Sequence, residues 1–71
     1  MTTIKTTNSN GVTHEVTIAS NDVAGAMVTG MQAMKHAWKQ ECAVGNQWGY
    51  IYIFRHSLTN ELVHIYEGLQ G

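Results

Sequence analysis

Charge is scarce in this chain. Charged residues make up 13% of it, with four Lys/Arg against five Asp/Glu and a formal net charge of −1. That is about half the usual charged fraction of ~25%. The cations Lys5, Lys35, Lys39 and Arg55 are also scattered. Holding a phosphate backbone needs clustered positive charge, so nucleic-acid binding by the chain on its own is not expected. Cysteine is limited to Cys42. An internal disulfide is therefore excluded, and a reducing, cytoplasmic setting is expected. No apolar run approaches the ~20 residues of a membrane span. The opening stretch MTTIKTTNSNG has neither a charged start nor an apolar core, so no signal peptide is expected.

Recognisable chemistry is missing as well. There is no Gly-rich phosphate loop leading into a helix, no paired carboxylates in an apolar setting and no nucleophile–base spacing. Asp22, Glu15, Glu41, Glu61 and Glu67 each have a cap, a cross-strand partner or a solvated position as their plain explanation. His14, His36, His56 and His64 fall on four separate segments, without an HxH, a CxxC or an i, i+4 pair of ligands. Cys42 has Glu41 beside it and no base in reach along the chain, which reads as a helix-end residue and not a nucleophile. Neither a metal, a cofactor nor catalysis is expected.

What is present is apolar surface in a small chain. Seventy-one residues make one domain, residues 1–71, and 44% of them are hydrophobic. That fraction rules out a disordered chain. A domain this short has a small core and is often marginal without a metal, disulfides or a partner subunit. A weakly charged surface favours association, so a protein partner or a homodimer is expected.

The organising stretch is VAGAMVTGMQAMKHAWKQEC, expected to form one long helix from Val23 to Cys42. No proline interrupts it. Asn21 or Asp22 can cap its start, and Gly45 can supply a left-handed stop. Val23, Met27, Met31, Met34 and Trp38 recur at spacings of three and four and so share a stripe. With Ala26, Gly30, Ala33 and Ala37 beside them, the non-polar arc spans about 220°, more than one sheet face requires.

Before the helix, TTIKTT and VTHEVTI flank a turn cluster. Ser9-Asn10-Gly11 suits a three-residue hairpin loop with Gly11 left-handed. Asn8 then lies opposite Val12, Thr6 opposite His14, Ile4 opposite Val16 and Thr2 opposite Ile18. On the other face Lys5 meets Glu15 and Thr3 meets Thr17. Opposite charges and apolar residues fall together, as a correct register should give.

After the helix, QWGYIYIFR and ELVHIYE form a second hairpin across HSLTN. A turn centred on Leu58 pairs Arg55 with Glu61, Ile53 with Val63 and Ile51 with Ile65, and on the other face Phe54 with Leu62, Tyr52 with His64 and Tyr50 with Tyr66. The terminal GLQG is expected to fray. The fold class is thus α+β, in the order ββαββ: a four-stranded, mainly antiparallel sheet of two hairpins with one long helix on one face. The helix covers Ile4, Val16, Ile18, Ile51, Ile53, Val63 and Ile65. Economical antiparallel orders put the third strand beside the first or the fourth beside the second.

Trp48, Tyr50, Tyr52, Phe54, Leu62, His64 and Tyr66 are left on the opposite face, where nothing covers them. Exposed aromatic patches mark interfaces, and Tyr and Trp are enriched at binding hot spots. The six candidates for partner binding are Trp48, Tyr50, Tyr52, Phe54, His64 and Tyr66. The alternative places the aromatics under the Met-rich helix. The functional expectation is a small non-enzymatic interaction module. In size, composition and topology it is similar to the chains that phages and mobile elements use to block host complexes, anti-CRISPR inhibitors among them. A homo-oligomeric structural protein is the alternative, and a nucleic-acid accessory factor a weaker one.

Overall fold

The structure is a computed structural model that describes residues 1–20, 22–47 and 49–68. The elements run β1 (Thr2–Thr7), β2 (Thr13–Ile18), α1 (Asp22–Ala33), β3 (Trp38–Asn46), β4 (Gly49–His56) and β5 (Leu62–Gly68). All five strands form one antiparallel sheet in the order β2-β1-β5-β4-β3.

The first hairpin has the register its sequence dictates. Thr2 pairs with Ile18, Ile4 with Val16, Lys5 with Glu15 and Thr6 with His14. Gly11 is left-handed at φ 83°. The Asn8 amide donates to the Val12 carbonyl at 3.0 Å, and the Asn8 side-chain oxygen accepts from the amides of Asn10 and Val12. Every determinant of this hairpin is local, and all of them agree.

The expected ββαββ fold with one long helix is overturned. The helix is 12 residues long and ends at Ala33. Residues 34–37 turn, closed by the Met34 carbonyl accepting from the amides of Ala37 and Trp38 at 2.9 Å. Residues 38–46 then form a fifth strand in place of the helix's second half. Lys39, Gln40, Glu41 and Ala43 are good helix formers or tolerate helix, so local propensity misleads here. The deciding demand comes from β4, which carries apolar side chains on both faces. Left at an edge, it would expose a flat apolar strand with unpaired backbone groups. β3 satisfies that edge from Trp38 opposite His56 to Asn46 opposite Gly49. Gly45 lies inside this strand and is not the helix stop.

The extra strand also corrects the sheet order. It reverses the direction of each later strand, so β5 runs antiparallel to β1 and pairs with it, Thr2 opposite Glu67 through Thr7 opposite Leu62. Neither expected order places those two strands together.

The second hairpin is one residue away from its expected register. Phe54 pairs with Val63, Tyr52 with Ile65, Ile53 with His64, Ile51 with Tyr66 and Arg55 with Leu62. Its turn includes Asn60 in the left-handed region at φ 62°. The amide of Asn60 bonds the His56 carbonyl at 3.0 Å, and the amide of His56 bonds the Glu61 carbonyl at 2.8 Å. The centre thus falls between Leu58 and Thr59. A one-residue slip exchanges the faces of one strand relative to the other. Tyr52 and Phe54 therefore share the helix face with Val63 and Ile65, and Ile51 and Ile53 lie on the far side.

The core consists of Ala24, Val28 and Met31 from α1 against Phe54, Val63 and Ile65, flanked by Ile4, Met27, Trp38 and Tyr52. Ala24, Val28 and Met31 are spaced four and three apart, one stripe of the helix. The expected stripe survives in part: Met31 is buried and Met27 half-buried, whereas Met34 is exposed beyond the helix end. The Ser20 hydroxyl accepts from the Asp22 amide at 3.2 Å at the start of α1. The expected cap Asn21 and the terminal residues 69–71 lie outside the described residues.

Candidate functional site

The residues expected to form one aromatic patch divide between the two faces of the sheet. Phe54 is fully buried under α1. Tyr52 is half-buried and packs against the same core. Tyr50 lies further along that face, 46% exposed, with its ring over Gly45 and stacked near Tyr52 at 6.3 Å between centroids. His64 and Tyr66 lie on the opposite face, stacked on each other at 6.2 Å and 18°. Trp48 lies outside the described residues.

The uncovered face nevertheless carries an apolar patch, built from other side chains. Strand pairing lines it up in rungs that cross all five strands. One rung runs Val44, Ile51, Tyr66, Thr3, Thr17. The next runs Cys42, Ile53, His64, Lys5, Glu15. A third runs Lys39, Arg55, Leu62, Thr7, Thr13. In the first two rungs the β3–β5 half is apolar except for His64; in the third, Lys39 and Arg55 stand beside Leu62, and the β1–β2 half is threonine-rich. Val44 and Ile51 are the most open members of the patch, at 55% and 39% exposure.

A bulge shapes the patch. The register of β3 shifts between Gln40 and Cys42, so Glu41 is the extra residue. Gln40 stays on the helix face, where its side chain accepts from Gln32 at 3.1 Å. Glu41 and Cys42 then both turn to the uncovered face. There Glu41 accepts from the Arg55 Nε at 2.9 Å. This bond replaces the Arg55–Glu61 pair that the expected register relied on.

The polar half of the face is paired within itself. Lys5 meets Glu15 at 3.7 Å and lies 5.6 Å from the Tyr66 ring centroid. Thr3 pairs with Thr17 and Thr7 with Thr13 through their hydroxyls, at 3.2 and 3.0 Å. Of the three cations on this face, Lys5 and Arg55 are engaged by carboxylates, which leaves only Lys39 to offer to a phosphate backbone. His64 stands at the boundary, and its Nδ1 is buried with no hydrogen-bond partner among the described residues.

Two hollows adjoin the sheet. One of about 230 Å³ opens at the end of the patch, lined by Val44, Tyr50, Ile51, Tyr66 and the backbone of Gly49 and Gly68. The other, of about 260 Å³, lies on the helix side between Thr6, His14, Trp38, Glu61 and Val63. Trp38 meets His56 edge-on there at 4.8 Å. No group of three or more His, Cys, Asp or Glu among the described residues is placed to hold a metal. No helix of the described residues is long and apolar enough to cross a membrane.

Val44, Ile51 and Ile53 are missing from the expected site because the sequence pattern points each elsewhere: Val44 to the helix end, the isoleucines to the core. Strict alternation within YIYIF shows that two opposite faces exist, but not which one the helix takes. No protein family, curated protein or solved structure matches the chain.

Proposed function

We infer that this chain is a non-enzymatic binding module that docks a protein partner on the uncovered face of its sheet. The carrying observation is the contiguous patch of Val44, Ile51, Ile53, Leu62 and Tyr66 across β3, β4 and β5, with no described element over it. Contiguous exposed apolar surface on a small protein commonly marks an interaction site. The partner surface it fits is apolar at its centre. Around that centre, Lys5–Glu15 and Arg55–Glu41 form a neutral rim. Tyr66, held between His64 and Lys5, is the anchoring aromatic.

In its specific form the module is an inhibitor. It occupies the partner's surface and keeps a substrate or subunit away, as the small blocking proteins of phages and mobile elements do. The paired state of Lys5 and Arg55 weighs against a nucleic-acid partner on this face.

The test is affinity capture from source-cell extract with tagged wild type, Ile51→Asp and Tyr66→Ala, read by quantitative mass spectrometry. The expected result is a protein enriched by the wild type and reduced at least tenfold with Ile51→Asp, since a buried unpaired charge in an interface costs more than the ~1.4 kcal/mol that tenfold represents. Recovery of the same proteins in the same amounts by all three chains would remove the proposal.

A further inference from the structure

The two edges of the sheet are not equivalent. β3 forms one edge and is blunted by the Glu41 bulge and by Lys39. Bulges and edge lysines are among the devices by which proteins prevent strand addition, and the one charge β2 carries, Glu15, is paired with Lys5. β2 forms the other edge and has neither. It reads THEVTI, holds an unbroken register with β1, and five of its six residues are exposed. α1 packs chiefly over β3 and β5, away from this edge. Val16 is 55% exposed although it lies on the helix side of the sheet.

The backbone groups that β2 offers follow from its pairing. The Asn8–Val12 bond makes that pair a hydrogen-bonded one. In an antiparallel ladder such pairs alternate, so Thr6–His14, Ile4–Val16 and Thr2–Ile18 are of the same kind. The amides and carbonyls of Thr13, Glu15 and Thr17 therefore point outward, unpaired within the sheet.

We propose that β2 pairs antiparallel with β2 of a second copy, joining two sheets into one about a twofold axis at Val16. Outward-facing residues must pair with outward-facing residues, which leaves few registers. Placing Glu15 opposite Glu15 of the second copy sets like charges together. Moving toward the turn runs Thr17 into Gly11, whose left-handed backbone ends the extended segment. Centring on Val16 keeps His14 to Ile18 paired throughout. Glu15 then faces Thr17 of the second copy, His14 faces Ile18, and the two Val16 side chains meet. Both helices lie on the same side of the joined sheet, and both apolar patches stay free on the other. The inference is thus independent of the docking face described above.

The test is light scattering across a concentration series up to high micromolar, on the wild type, Thr17→Pro and Val16→Lys. Proline at Thr17 removes an outward amide and leaves the β1–β2 backbone bonds intact, at the loss of the exposed Thr3–Thr17 hydroxyl bond. The wild type is expected at twice its 7.9 kDa mass, and both variants at 7.9 kDa with unchanged circular dichroism. Should the proline variant fail to fold, Val16→Lys decides, since it changes an exposed side chain. Across the axis the Val16 residues form a non-hydrogen-bonded pair with Cα atoms about 4.5 Å apart, within disulfide range. Val16→Cys in a Cys42→Ser background is therefore expected to cross-link on mild oxidation. A wild type that stays monomeric throughout, or a dimer that survives both Thr17→Pro and Val16→Lys, would overturn the proposal. Ile51→Asp separates the two ideas: it is expected to abolish partner capture and leave the dimer intact.

Discussion

Individual residues differ widely in what they hold. Phe54 is fully buried among Val63, Ile65 and the helix. Removing its ring costs about 3–5 kcal/mol. The whole stability of a domain this size is on the order of 5 kcal/mol. Phe54→Ala is expected to be unfolded at room temperature by circular dichroism. Tyr50→Ala, from a ring 46% exposed, is expected to stay folded with a denaturation midpoint near wild type. Gly49 is a stricter position. Its φ is 152°, and a Cβ there would run into the Glu67 carbonyl oxygen, which is backbone and cannot swing away. Gly49→Ala is expected to lose about 2 kcal/mol or more in urea unfolding. At Gly45 the obstacle is the Tyr50 ring, which can move, so alanine there is expected to cost much less. His64 works in the other direction. Its buried Nδ1 has no hydrogen-bond partner among the described residues. His64→Phe keeps a ring beside Tyr66 and removes the unsatisfied nitrogen, and is expected to raise stability by about 1 kcal/mol.

Elements were legible to the extent that their causes are local. The β1–β2 hairpin follows from a turn, a charge pair and apolar pairs lying within 17 residues (Thr2 to Ile18). The start of α1 follows from its own stripe. β3 does not, because residues 38–46 are a strand on account of β4's bare edge, which no window around Trp38 contains. The register of the second hairpin escapes the sequence for a related reason. Arg55 and Glu61 are plausible partners, but Arg55 is bonded to Glu41 on the neighbouring strand. Asn60 in the left-handed region then moves the turn centre. That slip, and not any misjudged hydrophobicity, transferred Ile51 and Ile53 from the expected core to the exposed patch. The boundary of α1 is directly measurable. Secondary chemical shifts are expected to be helical over Asp22–Ala33 and extended from Trp38 to Asn46. Helical shifts through Cys42 would contradict the five-stranded sheet.

At the scale of the whole molecule, one short helix covers part of one face of a five-stranded sheet. Among the described residues six apolar side chains are buried in the core and eight large hydrophobic ones stay exposed. Association is the economical remedy, by an edge, by a face or by both. Strand order has a different consequence. β5, the last strand along the chain, sits in the centre, bonded on one side to β1 and on the other to β4. During synthesis the β1–β2 hairpin and the β3–β4 hairpin are both made before it, and neither pairs with the other. Without β5 the sheet is in two pieces. Each piece meanwhile carries an open edge and an uncovered apolar face, the features that draw nascent chains into aggregates or onto chaperones. A chain cut before Leu62 would therefore hold two hairpins with no strand to join them.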